Sequence, residues 1–91
     1  MDDRLQQARV KINEIDARMA ELFEQRMQAV IQVAEYKKAH DMPILDETRE
    51  AQVIEKGCQR IQQDELKEYY RELLIKQMEL SRRYQKKLLE K

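Results

Sequence analysis

A long heptad repeat with no helix breaker constrains the fold of this chain more than any other feature. Apolar residues recur at alternating steps of three and four, and the first proline of the chain is Pro43. The members are Leu5, Ala8, Ile12, Ile15, Met19, Leu22, Ala29 or Val30, and Val33. Such a repeat is typical of a helix that packs lengthwise against another helix. We therefore predict a first helix over residues 4–40, about 50 Å long.

A helix of that length does not fit inside a monomeric globule of 91 residues, whose radius of gyration would be about 12 Å. A domain this small also buries only about 60–65% of the surface of its unfolded chain. Oligomerisation is a common way to complete so small a core. We expect a second copy of the chain to cover the long helix, which makes a homodimer.

Two shorter helices are predicted after Pro43. Asp46 is placed to cap a second helix over residues 46–62, and Asp64 to cap a third over residues 64–90. The predicted inner face of the third helix carries Leu66, Tyr70, Leu73, Leu74, Leu80, Tyr84 and Leu88. The single glycine and single proline leave little material for hairpins. The prediction is an all-α fold with three helices in one domain, residues 1–91.

The composition argues against several classes of function. Lysine and arginine number 18 and are balanced by 18 acidic residues, so no global field attracts nucleic acid or an anionic membrane. Cys58 is the only cysteine and His40 the only histidine, which argues against a disulfide or a metal site and fits a reducing cytoplasm. His40 is expected to be an exposed polar residue. No apolar run is long enough to span a membrane, and the N-terminus does not read as a signal peptide.

Two basic residues interrupt the apolar face of the first helix. Arg26 falls on the heptad repeat, where an unpaired buried guanidinium would be costly. Lys37 follows eleven residues later, only about 20° further round the helix and about 16 Å along it. Taken singly, Arg26 is explained by pairing with an acid and Lys37 by solvation. Two long side chains on one face can also converge on a small ligand between them.

The other two helices also carry polar residues on their inner faces. These residues are Asp46, Arg49 and Glu50 on the second helix, and Ser81 and Gln85 on the third. Each has an ordinary interpretation as surface charge or as an interhelical hydrogen bond. Because every helix contributes polar groups inward, the set as a whole predicts a pocket for a small, multiply anionic ligand.

Arg9 points to a second subunit. It precedes Arg26 by seventeen residues, which is about 25 Å along the helix and about 100° round it. Arg9 therefore cannot reach a ligand held by Arg26 and Lys37 of its own chain. An antiparallel second chain could bring its own Arg9 to that ligand.

These residues together resemble the all-helical class of chorismate mutase. The matching stretches are ARVKINEIDARMAELFEQR, VAEYKKAHDMPILDETRE and ELSRRYQ, which span nearly the whole chain. The family's cationic site positions match Arg9, Arg26, Lys37 and Arg49. Its polar positions on the second helix match Asp46 and Glu50, and those on the third helix match Ser81 and Gln85. The resemblance implies an intertwined homodimer with two sites, each taking Arg9 from the other subunit. It implies no cofactor and no metal.

The resemblance also implies the reaction and a role for each residue. Chorismate rearranges to prephenate without a nucleophile or proton transfer, on the route to phenylalanine and tyrosine. The carboxylates would be bound by Arg26 and the second chain's Arg9, with help from Ser81. Lys37 and Gln85 would donate hydrogen bonds to the ether oxygen. Glu50 would accept the proton of the ring hydroxyl, and Asp46 would order the start of the second helix near that hydroxyl. Arg49 would add positive potential that keeps Glu50 ionised. Two alternatives stay open: isochorismate–pyruvate lyase, and a non-catalytic helical dimerisation module whose polar residues fix register.

Overall fold

The computed structural model describes residues 2–90, which form three α-helices and no strand within that range. Helix α1 spans Arg4–Ala39, α2 spans Glu47–Gln59 and α3 spans Asp64–Leu89. The predicted all-α class with one long and two shorter helices is confirmed. None of these helices is both long and apolar enough to cross a membrane.

The N-terminal part of α1 is exposed to solvent in the single chain. Every residue from Asp2 to Gln25 is exposed, and the buried residues of the helix are Val30 and Ala34 in its C-terminal part. The heptad residue Leu22 is 58% exposed, although its position predicts burial. The chain extends 61 × 28 × 15 Å, with a radius of gyration of 16.8 Å. A single chain therefore leaves much of its apolar repeat uncovered.

A left-handed residue ends α1 and turns the chain toward α2. Asp41 has a φ of 53°, and its N–H donates to the carbonyl of Lys38 at 3.4 Å. The N–H of Met42 donates to the carbonyl of Lys37 at 2.8 Å. This pair of bonds is a Schellman motif, with aspartate where glycine is usual. Aspartate tolerates the left-handed region better than most residues do, so the helix stops before Pro43 is reached.

The start of α2 follows the sequence prediction, and its end does not. The Asp46 side chain accepts a hydrogen bond from the Arg49 N–H at 3.0 Å, as expected of an N-cap. The helix ends at Gln59 rather than at residue 62, because the N–H of Ile61 bonds back to Cys58 in a tight turn. At the start of α3, Gln63 is the N-cap residue, with no side-chain cap bond, and Asp64 lies inside the first turn. A carboxylate in the first turn still interacts favourably with the helix dipole.

Gly57 allows α2 and α3 to pack closely. A Cβ atom at this position would lie 2.5 Å from Cδ1 of Leu74 and 3.4 Å from the ring of Tyr70. Only the absence of a side chain permits that approach, which explains a buried glycine inside a helix. The small apolar core consists of Val30, Ala34, Leu74 and Met78.

Candidate active site

A cavity of about 300 Å³ lies between the C-terminal part of α1, the start of α2 and the C-terminal half of α3. Seven of the eight predicted site residues line it: Arg26, Lys37, Asp46, Arg49, Glu50, Ser81 and Gln85. Its apolar walls include Val30, Val33, Val53 and Met78. Helical spacing thus brings the predicted polar residues of all three helices to one place.

Arg26 joins α1 to α3 without an acidic partner. Its Nη1 donates to Ser81 Oγ at 3.0 Å, and no carboxylate within residues 2–90 forms an ion pair with it. Burial lowers the pKa of the Arg26 guanidinium, and the nearby charge of Arg49 lowers it further. Both effects disfavour the charged form of the guanidinium. An anionic group bound beside Arg26 would favour it.

Lys37 is oriented by the loop that follows its own helix. Its Nζ donates to the carbonyl oxygen of Ile44 at 2.7 Å. An ammonium group has three donor hydrogens, so one bond to a carbonyl leaves two for a ligand. The Schellman turn at Asp41 brings Ile44 back to this position. Sequence reasoning missed the contact because it depends on a backbone carbonyl in an irregular segment.

Gln85 brings a neutral amide to the cavity from α3. The residue is 7% exposed, and its Oε1 is buried with no hydrogen-bond partner among the described residues. The amide nitrogen of Gln85 is a hydrogen-bond donor, and the residue lines the cavity. Ser81, one turn earlier, is buried as well.

Glu50 pairs with a residue that the sequence analysis did not select. Its Oε1 accepts a hydrogen bond from Nη1 of Arg82, across the junction of α2 and α3. Arg49, the expected partner, is adjacent to Glu50 in the helix, and adjacent helical residues point in different directions. Arg82 lies one turn before Gln85, so helical spacing could place it beside the cavity but could not predict its contact with Glu50 on another helix.

Arg9 does not line the cavity. It lies on the exposed part of α1, about 25 Å along the helix from Arg26. The contribution of Arg9 to the cavity of a second chain stays a prediction. A separate and largely apolar groove, which includes Met19, Leu22, Phe23 and Leu73, lies on the other side of Arg26 along the uncovered repeat.

The charges of the cavity suit a dianion. Its lining contains four basic side chains (Arg26, Lys37, Arg49 and Arg82) and two acidic ones (Asp46 and Glu50), a formal charge of +2. One oxygen of Asp46 is already used by the helix cap. The described residues contain no cluster of acids, histidines and cysteines that could hold a metal ion.

This fold and cavity define a class: a three-helix protein with a partly buried, positively charged pocket for a small anion. The comparison with protein families then identifies the chain more closely. The family model for chorismate mutase type II matches residues 8–86, so the chain belongs to the chorismate mutase type II family and is an isomerase of that family. Comparison with curated proteins and with solved structures gave no match.

Proposed function

We propose that this chain rearranges chorismate to prephenate by restricting its conformation and stabilising charge in the transition state. The observation that carries the proposal is the +2 cavity, to which all three helices contribute polar groups. A unimolecular [3,3] rearrangement needs no nucleophile and no proton transfer. Its catalyst has to bind the transition state more tightly than the substrate, and fixed donors in a partly dry cavity do so.

Arg26 and Ser81 bind one end of the substrate. Arg26 has donors left after its bond to Ser81 and can bind a carboxylate in bidentate fashion. The second carboxylate is bound by Arg9 of a second chain. Holding both carboxylates selects the compact conformer in which the bond-forming carbons approach each other, which removes much of the entropic barrier.

Lys37 and Gln85 act at the ether oxygen. This oxygen becomes negative as its bond to carbon breaks, so donors fixed near it stabilise the transition state more than the ground state. The hydrogen bond from Lys37 Nζ to the carbonyl of Ile44 orients the ammonium group. Glu50 accepts a hydrogen bond from the ring hydroxyl, Asp46 orders the start of α2 beside it, and Arg49 contributes positive potential.

The active unit is an intertwined homodimer with two equivalent sites. The exposed apolar repeat of α1 from Leu5 to Leu22 supports this assembly, because a monomer rarely exposes so long an apolar stripe. In an antiparallel arrangement each α1 covers the other and delivers Arg9 to the neighbouring cavity. The lone cysteine, which cannot form a disulfide within the chain, supports action in a reducing cytoplasm. The product, prephenate, would serve phenylalanine and tyrosine synthesis.

The direct test is loss of chorismate absorbance with the purified protein, followed by identification of the product. We expect prephenate and no salicylate. Salicylate formed from isochorismate, with no prephenate from chorismate, would instead assign the lyase activity. A bicyclic transition-state analogue should also raise the melting temperature, because binding to the folded state alone stabilises it. A non-catalytic dimerisation module would give neither product nor stabilisation.

The Gln85→Glu variant tests the ether-oxygen role through its pH dependence. An amide donates a hydrogen bond at any ordinary pH, whereas a carboxyl donates only when it is protonated. Once ionised, the new carboxylate would repel the developing negative oxygen. We therefore expect the variant to be weakly active at pH 7 and to recover as the pH falls. In the wild type, Gln85 should contribute almost no change in activity between pH 5 and 8, because its amide does not ionise.

Gln52→Glu provides the matched control, because Gln52 is exposed on α2 and does not line the cavity. It should keep the pH profile of the wild type. If Gln85→Glu also kept that profile, Gln85 would have no role at the ether oxygen.

A further inference from the structure

Arg82 is the one charged residue lining the cavity for which the proposed mechanism supplies no role. Its Nη1 donates to Oε1 of Glu50 and ties α3 to the first turns of α2. The Glu50 side chain is 21% exposed and the Arg82 side chain 34% exposed. The pair is thus partly shielded from solvent, where a charge-assisted bond is stronger than on an open surface.

A fixed partner matters for the work assigned to Glu50. A glutamate side chain has several rotatable bonds, and ordering it costs conformational entropy. An ionised carboxylate has two acceptor oxygens. Since Arg82 occupies Oε1, the side chain is held in one orientation and Oε2 stays available for a hydroxyl donor.

The surroundings of Arg82 favour an indirect role over direct contact with substrate. Arg82 lines the cavity and also a shallow outer depression with Ile44, Leu45 and Glu79. It therefore lies at the margin of the cavity, whereas Arg26 and Lys37 have no carboxylate partner in the described chain. Those two free cations suit the substrate's charges, and the guanidinium of Arg82 is already engaged by Glu50.

We propose that Arg82 is a positioning residue, which orients the Glu50 carboxylate so that it accepts a hydrogen bond from the hydroxyl group of the substrate. The inference rests on the proposed function, because it takes Glu50 to be the acceptor of that hydrogen bond. Arg82 thereby contributes to recognition of a hydroxylated ring without touching the substrate. Arg82 acts on kcat/KM only through Glu50, so its effect should disappear when Glu50 or the hydroxyl is removed.

A double-mutant cycle on kcat/KM tests this dependence. Arg82→Gln should lower kcat/KM for chorismate by about tenfold, as expected when an oriented hydrogen bond worth about 1.4 kcal/mol is lost. Glu50→Gln should lower it at least as much, and the double variant should be no worse than Glu50→Gln alone. Arg82→Lys should recover part of the loss, because it keeps a cation beside Glu50. Arg83→Gln, which removes the exposed neighbouring charge outside the cavity, should behave as wild type.

A chorismate analogue without the ring hydroxyl separates positioning from a structural role. With this substrate, Arg82→Gln should match the wild type. Equal losses with both substrates would mean that Arg82 contacts the substrate directly or only ties the helices together, and either result overturns the proposal. Additive losses in the cycle, or full activity of Arg82→Gln with chorismate, would overturn it as well.

Failure of the proposed function can be told apart from failure of this inference. The dissociation constants of chorismate and of its analogue can be measured in the same variants, and the cycle can be repeated on binding alone. A wild type that binds chorismate without forming prephenate contradicts the proposed reaction and still leaves the positioning role testable. Full activity of Glu50→Gln would refute the role of Glu50, and the role of Arg82 with it.

Discussion

Lys37→Ala is expected to lower kcat/KM by about 10²- to 10³-fold, the usual effect of removing one donor to a developing oxyanion. The Lys37 Nζ is already oriented by the Ile44 carbonyl, so its charge needs little rearrangement as the ether bond breaks. An alanine leaves the oxygen without that charge in a partly buried cavity. Most of the loss should fall on kcat, because the interaction strengthens only in the transition state.

Lys38→Ala is the matched control, since Lys38 is the exposed neighbour on the same helical turn and does not line the cavity. It should retain full activity. Circular dichroism and the melting temperature of Lys37→Ala would show whether the fold persists. Arg26→Ala should lower kcat/KM by a similar factor, because it removes the guanidinium that binds a substrate carboxylate. Near-full turnover by either variant, with the fold intact, would remove that residue from the proposed mechanism.

Co-refolding two inactive variants is expected to restore about one quarter of the sites, given random pairing into two-fold dimers with two equivalent sites. The variants are Arg9→Ala and Lys37→Ala, and each should inactivate both sites of its own homodimer. In a mixed dimer one site receives both defects. The other combines the intact Arg9 of one chain with the intact Lys37 of its partner and is complete.

The design depends on exchange of chains, and intertwined subunits should exchange only through unfolding. The two variants are therefore unfolded together, refolded and assayed beside the same variants refolded separately and then mixed. We expect activity near one quarter of the wild type in the first sample and almost none in the second. If mixed dimers form, as tagged chains would show, and yet remain inactive, Arg9 does not act across the interface.

The helices and one of their caps could be predicted from local chemistry, whereas the composition of the core could not. Periodicity and Asp46 are local signals, and the structure follows them at the start of α2. The buried face of α3 was less well predicted: Met78 is buried, while Leu66 and Leu73 are exposed in the single chain. Periodicity identifies an apolar face but does not determine which of its residues meet the same chain. Leu73 borders the uncovered groove beside Arg26.

The cavity could be predicted where a residue's role depends on its position along one helix. Lys37 and Arg26 share a face of α1 because of their spacing, and both line the cavity. The Glu50–Arg82 pair joins two helices across 32 residues of chain, and spacing within a helix carries no information on such a pair. The bond from Lys37 to Ile44 depends on the path of a turn, which periodicity does not encode.

The unbroken length of α1 has a consequence for how the chain tolerates change. Under the proposed assembly, the helix is a rigid spacer whose two ends serve different cavities, with Arg9 at one and Arg26 at the other. One inserted residue between them would rotate Arg9 by about 100° about the helix axis and shift it by about 1.5 Å. Seven inserted residues would nearly restore the rotation but would displace Arg9 by about 10 Å. Substitutions on the exposed side of this segment leave the spacing intact, so the number of residues between Arg9 and Arg26 is constrained more tightly than their identity.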